Sequence, residues 1–485
     1  MKTSKFSIYL ILQIFKNSLN HPNILKTHLT NIIIRDVMSI FRAYDIRGIY
    51  PNELNGVIAY KIGLAFGKFI GKSNIALGMD VRKSSPEIKK HLVKGLLASG
   101  LNVIDFGVIP TPLLYFAVAY KELDGGAMIT GSHNPKEYNG IKLCGKNGLC
   151  FSYETGIGEI EKMVSKDIKI KYGKKGKMKR GNIEKEYIDF VLQKINLEKK
   201  LKIVIDAGNG TAGKVSSKLF QKMGCEVVEL FCEPNGDFPN HHPDPLVKEN
   251  LETLKSKVKE VDADIGIAYD GDGDRVGFVD DKGNVVENNK VFALLIKSVL
   301  EKNHEAKIAY EVLASKLVED VILMHKGVPI ISRVGHSYIQ NIMKEEGCLI
   351  GGETSGHYYF KENFNYDDGI FASAKLVEIV SKKENSFSSL IESLPKYITS
   401  DDTRVYCPDN KKFKVVEYLR KKFEGLGKLI TIDGVKVIEK DKWFIVRASN
   451  TQPALVLRWE AKKEKDFNDI RDFILEEVKK AIESV

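Results

Sequence analysis

Cysteine is scarce in this chain. There are six in 485 residues (Cys144, Cys150, Cys225, Cys232, Cys348, Cys407), and no two form a Cys-x-x-Cys pair. That excludes a disulfide scaffold and a thiolate zinc site, and reduced thiols point to a cytoplasmic protein. Long apolar runs are also missing. None reaches the ~18 residues of a spanning helix, so a polytopic membrane protein is excluded. Hydrophobic residues at 43% and charged residues at 28% are ordinary globular usage, which rules out disorder, collagen and coiled coil as whole-chain descriptions. At this length three or four domains are expected.

Charge of one sign is only mildly in excess. Lys+Arg number 74 against 64 Asp+Glu, a balance of +10. Part of the excess lies in residues 1–37, where Lys2, Lys5, Lys16, Lys26 and Arg35 face only Asp36. The apolar run Ser7–Phe15 follows two lysines, as a secretory signal does, but it contains Gln13 and no small-residue cleavage site follows. The segment reads as a loosely attached helix or an early start, with the folded body opening near Met38. A second basic run, Lys171–Arg180, reads as a solvated hairpin or inter-domain connector. Nothing else resembles a nucleic-acid reader, so neither nucleic acid nor membrane is an expected partner.

One unit occurs three times, in the order strand, helix, strand, helix, strand that marks a parallel α/β layer. The first copy has strands at Asn74–Asp80, Leu101–Phe106 and Gly126–Thr130. The second has Leu201–Asp206, Cys225–Phe231 and Ala263–Tyr269, and the third Ala306–Glu311, Val328–Ser332 and Cys348–Ile350. The last strand of each copy runs into an unusual loop: Thr130–Tyr138 (TGSHNPKEY), Asp270–Arg275 (DGDGDR) and Gly351–His357 (GGETSGH). Ligands of open α/β sheets sit outside the carboxyl ends of the strands, so three such domains around a central cleft would turn all three loops onto one ligand. After about residue 399 the pattern changes to a small antiparallel sheet with helices at Lys411–Phe423 and Lys465–Ser484. The expected fold is therefore three related mixed α/β domains (38–185, 186–297, 298–398) and a smaller C-terminal α+β domain (399–485), behind an extension (1–37).

The loops carry the chemistry. Asp270, Asp272 and Asp274 alternate with glycine, and carboxylates so close repel unless a cation lies between them; hard oxygen donors suit Mg²⁺. An EF-hand would need glycine at the sixth position and glutamate at the twelfth, where Arg275 and Asp281 stand, so calcium is disfavoured. Ser132 lies in a tight turn with its hydroxyl exposed. A Ser-His-Asp triad using the adjacent His133 is disfavoured because neighbouring side chains generally diverge and no G-x-S-x-G elbow exists. A phosphate-bearing serine, with a charge of about −1.5 to −2, would suit a magnesium ligand. Glu353 and Ser355, two apart on a glycine-flexed loop, could grip adjacent sugar hydroxyls and His357 could move a proton, although a lone histidine taken by itself reads first as a satisfied structural residue. Arg447, Ser449, Asn450 and Thr451 offer donors and no acids, which a phosphate wants. Gly67–Ser73 (GKFIGKS) ends like a Walker loop but has one residue too few between its glycines.

Seven motifs in order, FRAYDIRG (Phe41–Gly48), TGSHNP, NHHPDP (Asn240–Pro245), DGDGDR, GGETSGH, DDGI (Asp367–Ile370) and RASNTQP (Arg447–Pro453), make the chain resemble the α-D-phosphohexomutase superfamily. The likeness runs from about Ser39 to the C-terminus and is greatest to the phosphomannomutase/phosphoglucomutase branch. Phosphoglucosamine mutases are similar but typically carry SGTEP-like residues where this chain has SNTQP. The resemblance implies phosphate carried on Ser132. It implies one Mg²⁺ bound by Asp270, Asp272, Asp274 and a Ser132 phosphate oxygen. Glu353, Ser355 and His336 would bind the sugar, and Arg447, Ser449, Asn450 and Thr451 its non-reacting phosphate. Arg47, Lys142 and His357 would lie near the reacting groups, with Arg275 and Arg47 balancing the acid cluster.

The implied reaction interconverts hexose 1-phosphate and 6-phosphate through a hexose 1,6-bisphosphate, in a monomer or homodimer acting on small sugar phosphates. One departure stands out. Relatives often have a lysine in the segment Glu311–Leu313, where this chain has Leu313; Lys316 or Arg333 is the expected substitute. A metal-dependent phosphatase and a non-catalytic sugar-phosphate sensor are the rival functions, the first distinguished by steady release of inorganic phosphate, the second by needing neither Ser132 nor the acid loop.

Overall fold

The computed structural model describes residues 40–71, 74–166, 175–382, 384–449 and 453–485. The extension 1–37, residues 171–174 of the basic run, and the expected phosphate contacts Asn450 and Thr451 lie outside them.

Three sheets repeat one plan. In the first, Asn74–Met79 is flanked in parallel by Asn102–Val108 and Gly125–Ile129, and Gly125–Ile129 then pairs antiparallel with Tyr138–Gly145. In the second, Lys202–Asp206 lies between Glu226–Leu230 and Ile265–Tyr269, and the latter pairs antiparallel with Val276–Asp280. In the third, Lys307–Glu311 lies between Val328–Ser332 and Ile350–Gly352, followed antiparallel by Tyr358–Phe360. The inner strands, such as Ile265–Tyr269, are buried throughout, as expected of strands covered on both faces. The mixed sheet has a consequence for the site. Each special loop is the tip of a hairpin, held at both ends by ladder hydrogen bonds. Tyr269 pairs with Val276 across Asp270–Arg275, and Gly352 with Tyr358 across the third loop.

The helix Thr111–Tyr120 (TPLLYFAVAY) is apolar all round and almost wholly buried. Such a helix needs neighbours on every side, and it sits in one core that runs from Leu114 through Ile203 to Leu295 and Leu376. The first three domains thus share a continuous interior. The last part packs around its own core of Leu419, Phe444, Leu455 and Ile474. Its sheet gains two strands beyond the four expected, Ile398–Thr399 and Thr403–Tyr406, both paired with Ala454–Ala461. It meets the third domain at a smaller apolar seam, Val312 and Leu313 against Trp443 and Ile445. The end of the basic run, Met178–Arg180, forms an exposed edge strand beside Asn102–Val108. Gly67 lies inside the helix Gly56–Ile70, so the Walker-like segment closes a helix where a phosphate loop would open one.

Candidate active site

The serine loop and the aspartate loop touch. Ser132 Oγ donates to Asp270 Oδ2 at 2.8 Å, and Ser132 N donates to Thr130 Oγ1 at 2.8 Å. Ser132 has φ +48°, a conformation that costs a non-glycine residue about 1–3 kcal/mol and persists only where surroundings impose it. The approach is close enough that a Cβ on Gly271 would lie 2.6 Å from the Ser132 carbonyl oxygen. The same backbone turn brings His133 Nδ1 to 3.1 Å from Ser132 Oγ, so the two neighbours do not diverge as the sequence suggests. Burial, followed by Arg275 and Arg47, drives His133 well below the ordinary histidine range.

Two residues that sequence reasoning passed over impose the loop's shape. Arg82, 1% exposed, spends its guanidinium on the loop backbone. Nη2 donates to Ser132 O at 2.8 Å and Asn134 O at 2.6 Å, and Nη1 to Pro135 O at 2.6 Å and Tyr138 O at 3.1 Å. Asp80 accepts from Arg82 Nε at 3.1 Å and from Gly131 N at 3.0 Å. Gly131 is required here because a Cβ would lie 2.4 Å from Arg82 Nε. The available signal was Asp80-Val-Arg82 at the carboxyl end of a strand, the position at which the three special loops also stand. Arg82→Met would strip four carbonyls of their donor and leave Asp80 uncompensated. We expect a loss of about 3–5 kcal/mol in urea unfolding; a loss below about 1 kcal/mol would mean that other donors hold the loop.

Asp270, Asp272 and Asp274 are each fully buried, and each offers an oxygen within 4.8 Å of the others'. Asp272 Oδ1 and Asp274 Oδ1 are buried with no hydrogen-bond partner. Two orphaned carboxylate oxygens in a cluster of three buried acids fit a divalent cation with a preference for hard oxygen ligands. Burial, and after it Asp272 and Asp274, hold Asp270 well above the carboxylate range. Lys142 is in direct contact with the cluster: its Nζ lies 2.9 Å from Asp272 Oδ2 and also pairs with Asp274 Oδ2. Burial alone would lower this ammonium, but Asp272 and Asp274 keep it above its usual value. Of the two arginines expected to balance the cluster, Arg275 is kept above its usual value, against burial, by Asp270 and Asp274, while Arg47 has other partners. Arg275 Nε lies 3.0 Å from His357 Nε2. Arg47 pairs with Asp45 at 2.6 Å and donates to Asn134 Oδ1 at 2.7 Å, which adds to the grip on the serine loop.

A cleft of about 530 Å³ opens beside this cluster. Tyr44, Arg275, His336, Glu353, Ser355, His357, Arg447 and Arg458 all line it, so every domain contributes. His357 joins cleft and cluster: its Nδ1 is 2.9 Å from Asp367 Oδ2 and 3.9 Å from Asp274 Oδ1. Glu353 accepts from Gly335 N at 2.9 Å and from the Tyr359 hydroxyl at 3.0 Å. Burial, with Glu311 nearby, pushes it up to about 7 even against His357. His336 is buried and both its ring nitrogens lack a partner; burial pushes it down to about 4, so it stands in the cleft as a neutral donor–acceptor.

Arg447 pairs with Asp433 at 3.1 Å, and Ser449 is buried beside it in the chain. Leu313 lines the cleft as an apolar wall. Neither expected substitute for it reaches there. Lys316 pairs with Asp320 at 2.7 Å on its own helix, and Arg333 stacks 4.4 Å above Tyr338. The cleft's basic groups are Lys248, Arg275, Arg447 and Arg458, and Arg458 Nε is buried without a partner.

Four family descriptions match the chain in sequence. Phosphoglucomutase/phosphomannomutase alpha/beta/alpha domain I covers residues 38–171, domain II 185–283, domain III 287–397, and the C-terminal domain 403–477. A phosphomannomutase/phosphoglucomutase of Pseudomonas syringae pv. tomato is 42% identical over 449 residues, 91% of this chain and 95% of the relative. A phosphoglucomutase of Neisseria gonorrhoeae is 42% identical over 87% of this chain and 93% of its own length. A crystal structure of a phosphoglucomutase/phosphomannomutase family protein from Burkholderia thailandensis superposes with a TM-score of 0.85 at 35% identity, covering 91% of this chain and 97% of that one.

Proposed function

The chain belongs to the phosphoglucomutase/phosphomannomutase family, and from that premise we propose that Ser132 relays a phosphoryl group between the 1- and 6-positions of a hexose. The protein is a phosphohexomutase, an intramolecular phosphotransferase. The observation that best supports the relay is the contact of Ser132 Oγ with Asp270 at 2.8 Å, inside the acid cluster.

In this reading the phosphoryl group leaves Ser132 Oγ for a free hexose hydroxyl, giving a hexose 1,6-bisphosphate. The bisphosphate turns over in the cleft and returns its other phosphoryl group to Ser132. Phosphoryl transfer asks a protein mainly for positioning and charge stabilisation. Arg82, Asp80 and Arg47 position the serine turn. A Mg²⁺ held by Asp270, Asp272 and Asp274 would stabilise negative charge at the transferring group. His357 is the ring that both lines the cleft and reaches Asp274, so it suits proton transfer at the sugar hydroxyl, help worth ~10²–10⁴-fold. His336, Glu353 and Ser355 face the sugar. Arg447, with Ser449, Asn450 and Thr451, takes the phosphate that is not reacting, and the same site must accept either end of the sugar.

The names of the relatives favour glucose and mannose over glucosamine substrates. Among the described residues no helix is long and apolar enough to cross a membrane, and six unpaired cysteines suit a reducing cytoplasm. Intact mass of the purified protein should show one added phosphate. Glucose 1-phosphate and mannose 1-phosphate should be isomerised with almost no inorganic phosphate released; steady release would make the protein a phosphatase. Arg447→Ala should raise KM about tenfold or more with a smaller change in kcat, as loss of a charge-assisted bond to phosphate predicts. An unchanged KM would remove Arg447 from the phosphate site.

A further inference from the structure

Lys436, on the strand Val435–Ile438 of the last domain, is 4% exposed. Its Nζ reaches out of its own domain and donates to the carbonyls of Val312 at 2.7 Å and Ala314 at 3.2 Å. It also sits 3.8 Å above the Trp443 ring. Burial pushes this ammonium down to about 7; Glu460, Glu319 and Glu311 pull it up, and Arg458 opposes them. An amine so costly to bury stays only where its bonds hold it.

Those bonds land on a segment with a second task. Val312–Ala314 directly follows Glu311, whose Oε1 accepts from Thr354 N at 2.6 Å and also from the Thr354 hydroxyl. Thr354 stands between Glu353 and Ser355 on the loop that faces the sugar. Glu460, fully buried, ties the same seam from the other side: its Oε1 accepts from Lys316 N at 2.8 Å and from Trp443 Nε1 at 2.8 Å. The fourth domain has a core of its own and touches the third through a small apolar seam, so polar ties such as these decide how it sits.

We propose that Lys436 is a positioning residue that latches the fourth domain over the cleft and, through residues 311–314, sets the sugar-facing loop. The proposal rests on the mutase reading. A bisphosphate that must turn over between two transfers has to be retained while free to rotate, and a loosened fourth domain would let it escape.

The test is steady-state kinetics of the full chain with glucose 1-phosphate, with and without added glucose 1,6-bisphosphate. Lys436→Met keeps the aliphatic stem against Trp443 and removes the donors. Its KM should rise about tenfold. Turnover should fall without added bisphosphate and recover to within about threefold of wild-type kcat when it is supplied. Lys436→Arg, which can still donate to both carbonyls, should restore most of the KM. A Met variant with wild-type KM and no need for added bisphosphate overturns the latch. Should the Met variant not fold, Lys436→Gln is read the same way, and no rise in its KM overturns the proposal equally. Failure of the mutase reading would look different, because the wild-type protein itself would not isomerise the sugar phosphate.

Discussion

Ser132→Ala should abolish mutase turnover, by on the order of 10³-fold or more, in a protein that remains folded. The side chain makes two bonds that alanine cannot, to Asp270 and to His133 Nδ1, together worth about 1–2 kcal/mol. Asp270 keeps Gly273 N at 2.8 Å on its other oxygen, and Arg82 binds the carbonyl of residue 132 whatever its side chain. The variant should therefore unfold within a few degrees of the wild type, roughly the Tm shift that 1–2 kcal/mol gives a protein of this size, and its intact mass should show no phosphate. A folded Ser132→Ala protein that isomerises glucose 1-phosphate at the wild-type rate would end the relay and shift attention to His133, 3.1 Å away.

Asp272→Asn should abolish metal binding and turnover together. The change preserves shape and keeps an oxygen for Thr111 Oγ1, which lies 2.6 Å from Asp272 Oδ2. It removes one of the three buried carboxylates and one of the two orphaned oxygens. Several kcal/mol of transition-state stabilisation are at stake for a metal-assisted transfer, so a fall of about 10²–10⁴-fold is expected. Two readouts do not depend on activity. Wild-type Tm should rise with added Mg²⁺, as for any ligand that binds only the native state, whereas that of the variant should not; and calorimetric titration with Mg²⁺ should show binding only to the wild type. Without metal the variant should be less stable than wild type: against burial and Asp274, Lys142 and the Thr111 hydroxyl hold Asp272 below the usual carboxylate range, and asparagine gives up the pairing with Lys142, which keeps only Asp274. Undiminished Mg²⁺ binding by the variant would mean that the cluster is not the metal site.

Chemistry written in contiguous residues could be read directly. Asp-Gly-Asp-Gly-Asp is one hairpin tip, and its three oxygens converge because glycine lets the backbone fold back within five positions. The three-fold repeat was legible because strand and helix periods are local, and each copy ends in a loop too polar and glycine-rich to continue the strand. The mixed character of the sheets put every loop at a hairpin, between a parallel inner strand and an antiparallel outer one.

Contacts between distant segments were a different matter. His133 was set aside on the general rule that adjacent side chains diverge, and the left-handed turn at Ser132 breaks that rule. Arg82 was passed over because it lies fifty positions from the Ser132 carbonyl it holds. Lys142 was expected near reacting groups, and its pairing with Asp272 and Asp274 needs two domains packed together. Neither Lys316 nor Arg333 compensates for Leu313, because one is drawn to Asp320 and the other to a tyrosine face, while Arg458 enters the cleft from the last domain.

By itself, then, the amino-acid sequence determined the repeated α/β units, the loops that end them and the donor types each loop carries, since all of these follow from neighbours along the chain. Only the tertiary structure decided which arginine braces the serine turn, which lysine meets the acid cluster and which one ties the last domain down. Those pairings join residues tens to more than a hundred positions apart, and strand register and domain packing alone bring them within hydrogen-bond reach.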